Sequence, residues 1–89
     1  MKAIVTVIGK DQRGIIASVT NTLLEQQTNV LDISQTVLQD YFVMIMLVDI
    51  SDCPLSFTEL STLLHESGKS RGLDVRIQRE DIFNAMHRI

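Results

Sequence analysis

Tyr41 to Ile50 reads Tyr-Phe-Val-Met-Ile-Met-Leu-Val-Asp-Ile, and only Asp49 interrupts its apolar character. A run with no wet face belongs inside a sheet, with a neighbour on each side. Its β-branched content favours a strand over a buried helix. So does the short turn Gln39-Asp40, which joins it to a second strand pattern as a hairpin. A chain that carries this strand must supply a sheet around it.

Three other stretches have strand character. In Lys2 to Ile8, Val5 and Val7 fall on one face and Ile4, Thr6 and Ile8 on the other, so both faces are partly apolar and an interior position is expected. In Val30 to Leu38, Ile33, Gln35 and Val37 alternate with Asp32, Ser34 and Thr36, which suits an edge. Leu73, Val75 and Ile77 alternate with Asp74, Arg76 and Gln78, a second edge with one wet face.

Helical patterns separate these strands. Ile15, Val19 and Leu23, with Ile16 and Leu24, give one stripe over Gly14 to Gln27. Thr28-Asn29 is expected to end that helix, with Asn29 as the residue tolerant of a left-handed backbone. The second helix opens on a capping box, Ser56-Phe57-Thr58-Glu59, with Leu55 and Leu60 placed as a hydrophobic staple. Phe57, Leu60, Leu63 and Leu64 form its apolar stripe, and Gly72 is the expected stop. Gly68 sits within it at a cost of about 1 kcal/mol relative to Ala. Glu80 to Ile89 reads as a short C-terminal helix, acidic at its start and basic at His87-Arg88, with Ile82, Phe83, Met86 and Ile89 on one side. Roughly ten residues do not hold a helix alone in water, so it must pack on something.

The order strand, helix, strand, strand, helix, strand predicts one α+β domain over residues 1–89. It is a ferredoxin-like βαββαβ sandwich with an antiparallel sheet in the order 4-1-3-2 and an extra C-terminal helix. The two most apolar strands are then central. Two helices cover one sheet face and leave apolar residues of the first and third strands on the other. The C-terminal helix or a second subunit is expected to cover that face.

Composition removes several function classes. The formal charge is -3, with 8 basic residues scattered along the chain, which argues against a nucleic-acid surface. Aromatic residues are too few for base stacking. Cys53 is alone, which excludes an intrachain disulfide and suits a reduced, cytoplasmic setting. The six or so apolar residues that follow Met1-Lys2 are too few for a signal h-region or a membrane span. His65 and His87 have no second ligand at metal spacing, and Cys53 has no readable His partner. No catalytic residue, metal or cofactor is therefore expected.

One stretch carries binding chemistry. Gly9-Lys10-Asp11-Gln12-Arg13-Gly14 joins the first strand to the first helix. The first amides of a helix lack intrahelical partners, and the dipole places partial positive charge there, so this turn suits a carboxylate or phosphate. Asp11 disfavours phosphate and tolerates an ammonium group; equally, it serves as a helix cap. Gly14 leaves the helix terminus uncovered by a Cβ.

The motif Gly9-x-Asp11-x-x-Gly14-Ile15-x-Ala17, followed by Asn29-Val30-x-Asp32-Ile33-Ser34-Gln35, resembles the ACT domain, a small regulatory module. It is similar to the ACT domains of formyltetrahydrofolate deformylases and glycine cleavage repressors, and to small stand-alone ACT proteins. The resemblance implies a homodimer that binds a small amino acid at the subunit interface and acts on an unidentified regulated protein. It implies a ligand lined by Asp11, Gln12, Arg13, Gly14 and Ile15, with Asn29 contributed by the partner subunit. Two other readings stand beside it. One is a protein-interaction module with no ligand. The other is an acylphosphatase-like enzyme, for which Gln12 and Arg13 lie near the right loop but Asp11 would repel the phosphate.

Overall fold

A computed structural model describes residues 1–10 and 15–81 of the chain. Four strands and two helices follow in the expected order: β1 Lys2–Gly9, α1 Ile15–Glu25, β2 Asn29–Leu38, β3 Tyr41–Asp49, α2 Phe57–Lys69 and β4 Asp74–Arg79. The sheet runs β2-β3-β1-β4 with every neighbouring pair antiparallel, so the expected strand order holds. Glu80 and Asp81 continue from β4 with helical backbone. The rest of the C-terminal helix expected over 80–89 lies outside the described residues.

The pleat sorts the side chains as their alternation requires. Ala3, Val5 and Val7 of β1 are buried under the helices, with Phe42, Met44, Met46 and Val48 of β3 and Val75 and Ile77 of β4. From the helices, Val19, Leu23, Leu60 and Leu64 complete this core. Leu24, assigned to the buried stripe of α1 from sequence, is instead 59% exposed. It follows Leu23 by one residue, about 100° around the helix, and so points away from the sheet.

The helix ends show where local chemistry decided the outcome. Ser56 accepts the Glu59 amide at 3.1 Å, and Glu59 accepts the Ser56 amide at 3.0 Å, so the capping box is complete. Two hydrogen bonds from Ser56 hold the Glu59 carboxyl below the usual range, the backbone amide contributing most. At its other end α2 closes on Gly72, at φ 73°; the Leu73 amide reaches back to the Gly68 carbonyl at 2.8 Å. α1 closes the same way, but the left-handed residue is Gln27, at φ 58°, rather than Asn29. The Thr28 amide bonds the Leu23 carbonyl at 3.1 Å, and the buried Thr28 hydroxyl donates to the same oxygen at 2.6 Å. These bonds place the turn one position before Thr28, which leaves Asn29 to open β2.

Gly68 has a packing reason that its helical position hides. A Cβ built there would lie 2.5 Å from Cγ2 of Val75 and 3.2 Å from the Leu73 carbonyl oxygen. α2 therefore rests directly on β4 at this residue.

Candidate functional site

β1 and α1 are joined at one end of the sheet. Gly9 pairs with Phe42, and the hairpin of β2 and β3 closes beside them with Leu38 opposite Tyr41. Gly9 is buried, while Lys10 stands exposed with its ammonium group 5.6 Å from the centre of the Tyr41 ring. A cation over an aromatic face is attracted to it, so the Lys10 side chain lies over the hairpin end. Of the residues expected at the site, Asp11, Gln12, Arg13 and Gly14 lie outside the described residues. Ile15 is the first residue of α1.

Asn29 lies at the other end of the sheet. It is exposed, opens β2 and pairs with Asp49, which in turn pairs with Lys2. From Lys2 to Gly9 the strand covers about 23 Å. Gly9 and Asn29, the described residues that flank or belong to the expected site, thus stand at opposite ends of the sheet. Next to Asn29, Asp49 accepts the Ser51 hydroxyl at 2.6 Å and the Ser51 amide at 2.9 Å. These bonds, the hydroxyl first, hold its carboxyl below the usual range.

β2 is an edge strand exposed along almost its full length, Val30 alone being half-buried. Its register shifts between Val30 and Asp32, a bulge at Leu31 that the alternation did not reveal. Beyond the bulge Ile33 and Val37 share the helix-side face with Met46 and Phe42, yet are 39% and 56% exposed. An unpaired, partly apolar edge is a template for another strand.

A groove of about 610 Å³ lies between the end of α1 and α2, floored by Leu55 and Leu63 and flanked by Glu59 and Glu66. Its acidic rim opposes a carboxylate ligand. Among the described residues no cluster of His, Cys, Asp and Glu could hold a metal ion, and no helix is long and apolar enough to cross a membrane. Lys10 and Tyr41 were not singled out from sequence as a pair. Only the register that sets Gly9 beside Phe42 brings them together.

Residues 2–78 match the sequence pattern of the ACT domain. A UPF0237 protein of Clostridium acetobutylicum is 55% identical over 89 residues, covering 100% of both chains. Among solved structures, an ACT domain protein from Streptococcus pneumoniae superposes with a TM-score of 0.85 at 44% identity, covering 98% of each chain. A formyltetrahydrofolate deformylase from Pseudomonas putida shares the fold, with a TM-score of 0.78 at 17% identity; the match covers 91% of this chain and 29% of that one. With the strand order, the helix positions and this sequence match in agreement, the chain belongs to the ACT domain family.

Proposed function

We propose that the protein is a non-enzymatic sensor that dimerises side by side through β2 and binds a small amino acid between the subunits. The observation that supports this reading is the separation of Asn29 from Gly9, where the turn begins, by the length of β1, combined with a β2 edge that no other described strand pairs. Antiparallel pairing of two β2 edges about their midpoint sets the partner subunit's Asn29 opposite Leu38. Leu38 pairs with Tyr41, at the end of the sheet that carries the turn. One such pairing therefore supplies each turn with the Asn it lacks, and it does so twice by symmetry. It also removes Ile33 and Val37 from water.

The chemistry assigns roles within this site. The ligand carboxylate lies on the first amides of α1 near Gly14, where the helix dipole favours it. The ammonium group is received by the Asp11 carboxylate and the partner's Asn29 amide oxygen. Lys10 adds positive charge on the carboxylate side.

Complementation tests the reading. Calorimetry of the intact protein against the twenty amino acids is expected to give heat for a small α-amino acid. Asp11→Ala and Asn29→Ala are each expected to lose that heat. Mixing the two variants forms hybrid dimers in which one turn and one Asn29, on different chains, are both intact. About a quarter of the sites should then return. No return on mixing, with subunit exchange verified, would place the whole site in one chain and refute the dimeric site. No heat from any amino acid would leave a dimeric interaction module.

A further inference from the structure

The groove between the end of α1 and α2 belongs to neither half of the amino-acid site. On α2 it is lined by Glu59, Thr62, Leu63 and Glu66, with Leu55 just before the helix and Gln26 just after α1. The α2 positions recur at helical spacing, so they form one stripe. That stripe lies about a third of a turn around from Leu60 and Leu64, which are buried in the core. Leu63, expected from sequence to be buried with them, is instead half-buried, with one side in the groove; Leu55 is half-buried in the same way.

The rim of this groove is anionic. Glu59 and Glu66 flank the floor two turns apart, about 10 Å along the axis. Neither makes an ion pair among the described residues, and Lys69, the cation in the last turn of α2, is not part of the lining. The Ser56 hydrogen bonds keep the Glu59 carboxylate ionised at neutral pH. An apolar floor between two carboxylates suits an occupant that is apolar on one side and cationic at its margin. The groove is open along its length, whereas small-molecule pockets enclose roughly 70–90% of their ligand. An extended peptide needs backbone partners, but the backbone groups of α2 are paired within the helix. A helix satisfies its own backbone and needs side-chain contacts alone. The two-turn separation of Glu59 and Glu66 then matches a helix with Lys or Arg at two-turn spacing beside an apolar stripe.

We propose that the groove between α1 and α2 docks a cationic amphipathic helix of a partner protein, its apolar face on Leu55 and Leu63 and its Lys or Arg side chains on Glu59 and Glu66. α2 rests on β4 at Gly68, and β2 is the opposite edge of the sheet, so docking here leaves the β2 edge uncovered. This holds whether or not an amino acid binds.

Amide NMR on the full chain, titrated with synthetic helices, tests the proposal. The probe is an Ala-rich peptide of about fifteen residues, with a pair of Leu one turn apart and a pair of Lys two turns apart on adjoining stripes. A second peptide has Ser for Leu, and a third has Glu for Lys. The first is expected to shift the amides of Gln26, Thr62 and Leu63, and the other two to shift them several-fold less at the same concentration. Glu59→Gln combined with Glu66→Gln removes both charges and keeps the capping box, which accepts Gln at that position. Affinity for the first peptide should fall roughly three- to tenfold in that variant. An unchanged affinity would overturn the proposal. So would equal shifts from all three peptides, no shift at millimolar peptide, or shifts confined to the sheet. A changed oligomeric state in Leu63→Ala, measured by sedimentation with folding verified by circular dichroism, would assign the groove to a second copy and also overturn it.

Discussion

Gly68→Ala places two effects of opposite sign at one residue. On an exposed helix the change would stabilise the protein by about 1 kcal/mol, because Ala loses less backbone entropy than Gly. Here the new methyl would stand 2.5 Å from Cγ2 of Val75, against 3.4–4 Å for ordinary contact. A turn of the Val75 side chain does not relieve this. Val75 Cβ and the Leu73 carbonyl oxygen each lie 3.2 Å from the same point, and Val75 is 2% exposed. α2 must therefore lift from β4 by a few tenths of an ångström or more, and overpacking of this kind costs about 1–3 kcal/mol. The net expectation is a loss of about 1 kcal/mol, a fall in Tm of roughly 4–8 °C for a domain of this size. Val75→Ala alone removes two buried methyl groups, a loss of about 1.6 kcal/mol before any cavity term. The double variant should be less damaged than the sum by about 1–2 kcal/mol, because the methyl added at Gly68 enters space that the Val75 side chain vacates. Urea unfolding followed by circular dichroism, at one fixed protein concentration, measures all four species. A Gly68→Ala protein more stable than the parent, together with additive double-variant energies, would refute the close approach of α2 to β4.

Further outcomes rest on the described geometry. Ser56→Ala should cost about 1 kcal/mol in the same assay, because it strips the Glu59 amide of its cap. Gln27→Gly should raise stability by up to about 1 kcal/mol by relieving a left-handed residue at φ 58°, and Gly72→Ala should lower it by a similar amount although nothing lies within 4 Å of a Cβ there. The carboxyls of Asp49 and Glu59 are held low by the hydrogen bonds of Ser51 and Ser56, so each favours folding fully above its unfolded pKa of about 4 and loses that effect as pH falls through its lower folded value. Melting curves between about pH 6 and pH 2 should show the loss in the acid part of that range, with less of it in Asp49→Asn.

Local chemistry made much of this fold readable. The apolar run of β3, the alternation in β4 and the capping box at Ser56 each announce an element within a few residues, and each is where the pattern puts it. Strand order followed because two crossovers of one hand leave few arrangements for four strands. What escaped depends on contacts distant in sequence. Gly68 looked like a weak point of a helix until β4 was seen lying against it. The bulge at Leu31 exists only relative to β3. The exchange of Gln27 for Asn29 as the left-handed residue turned on one side chain, Thr28, whose hydroxyl found the Leu23 carbonyl. At the candidate site the motif named residues, but not the distance between them.

That distance gives the site its logic. On the proposed reading, the turn and Asn29 belong to one ligand, yet Gly9, where the turn begins, and Asn29 stand about 23 Å apart along β1 of one chain. An isolated subunit then holds half of each site, and binding and pairing form a single linked equilibrium. Any factor by which pairing strengthens ligand binding is the factor by which ligand strengthens pairing. On that reading the β2 edge is the surface on which this linkage acts. A sensor built in this way reports ligand as a change in association, which a regulated partner can read without touching the ligand itself.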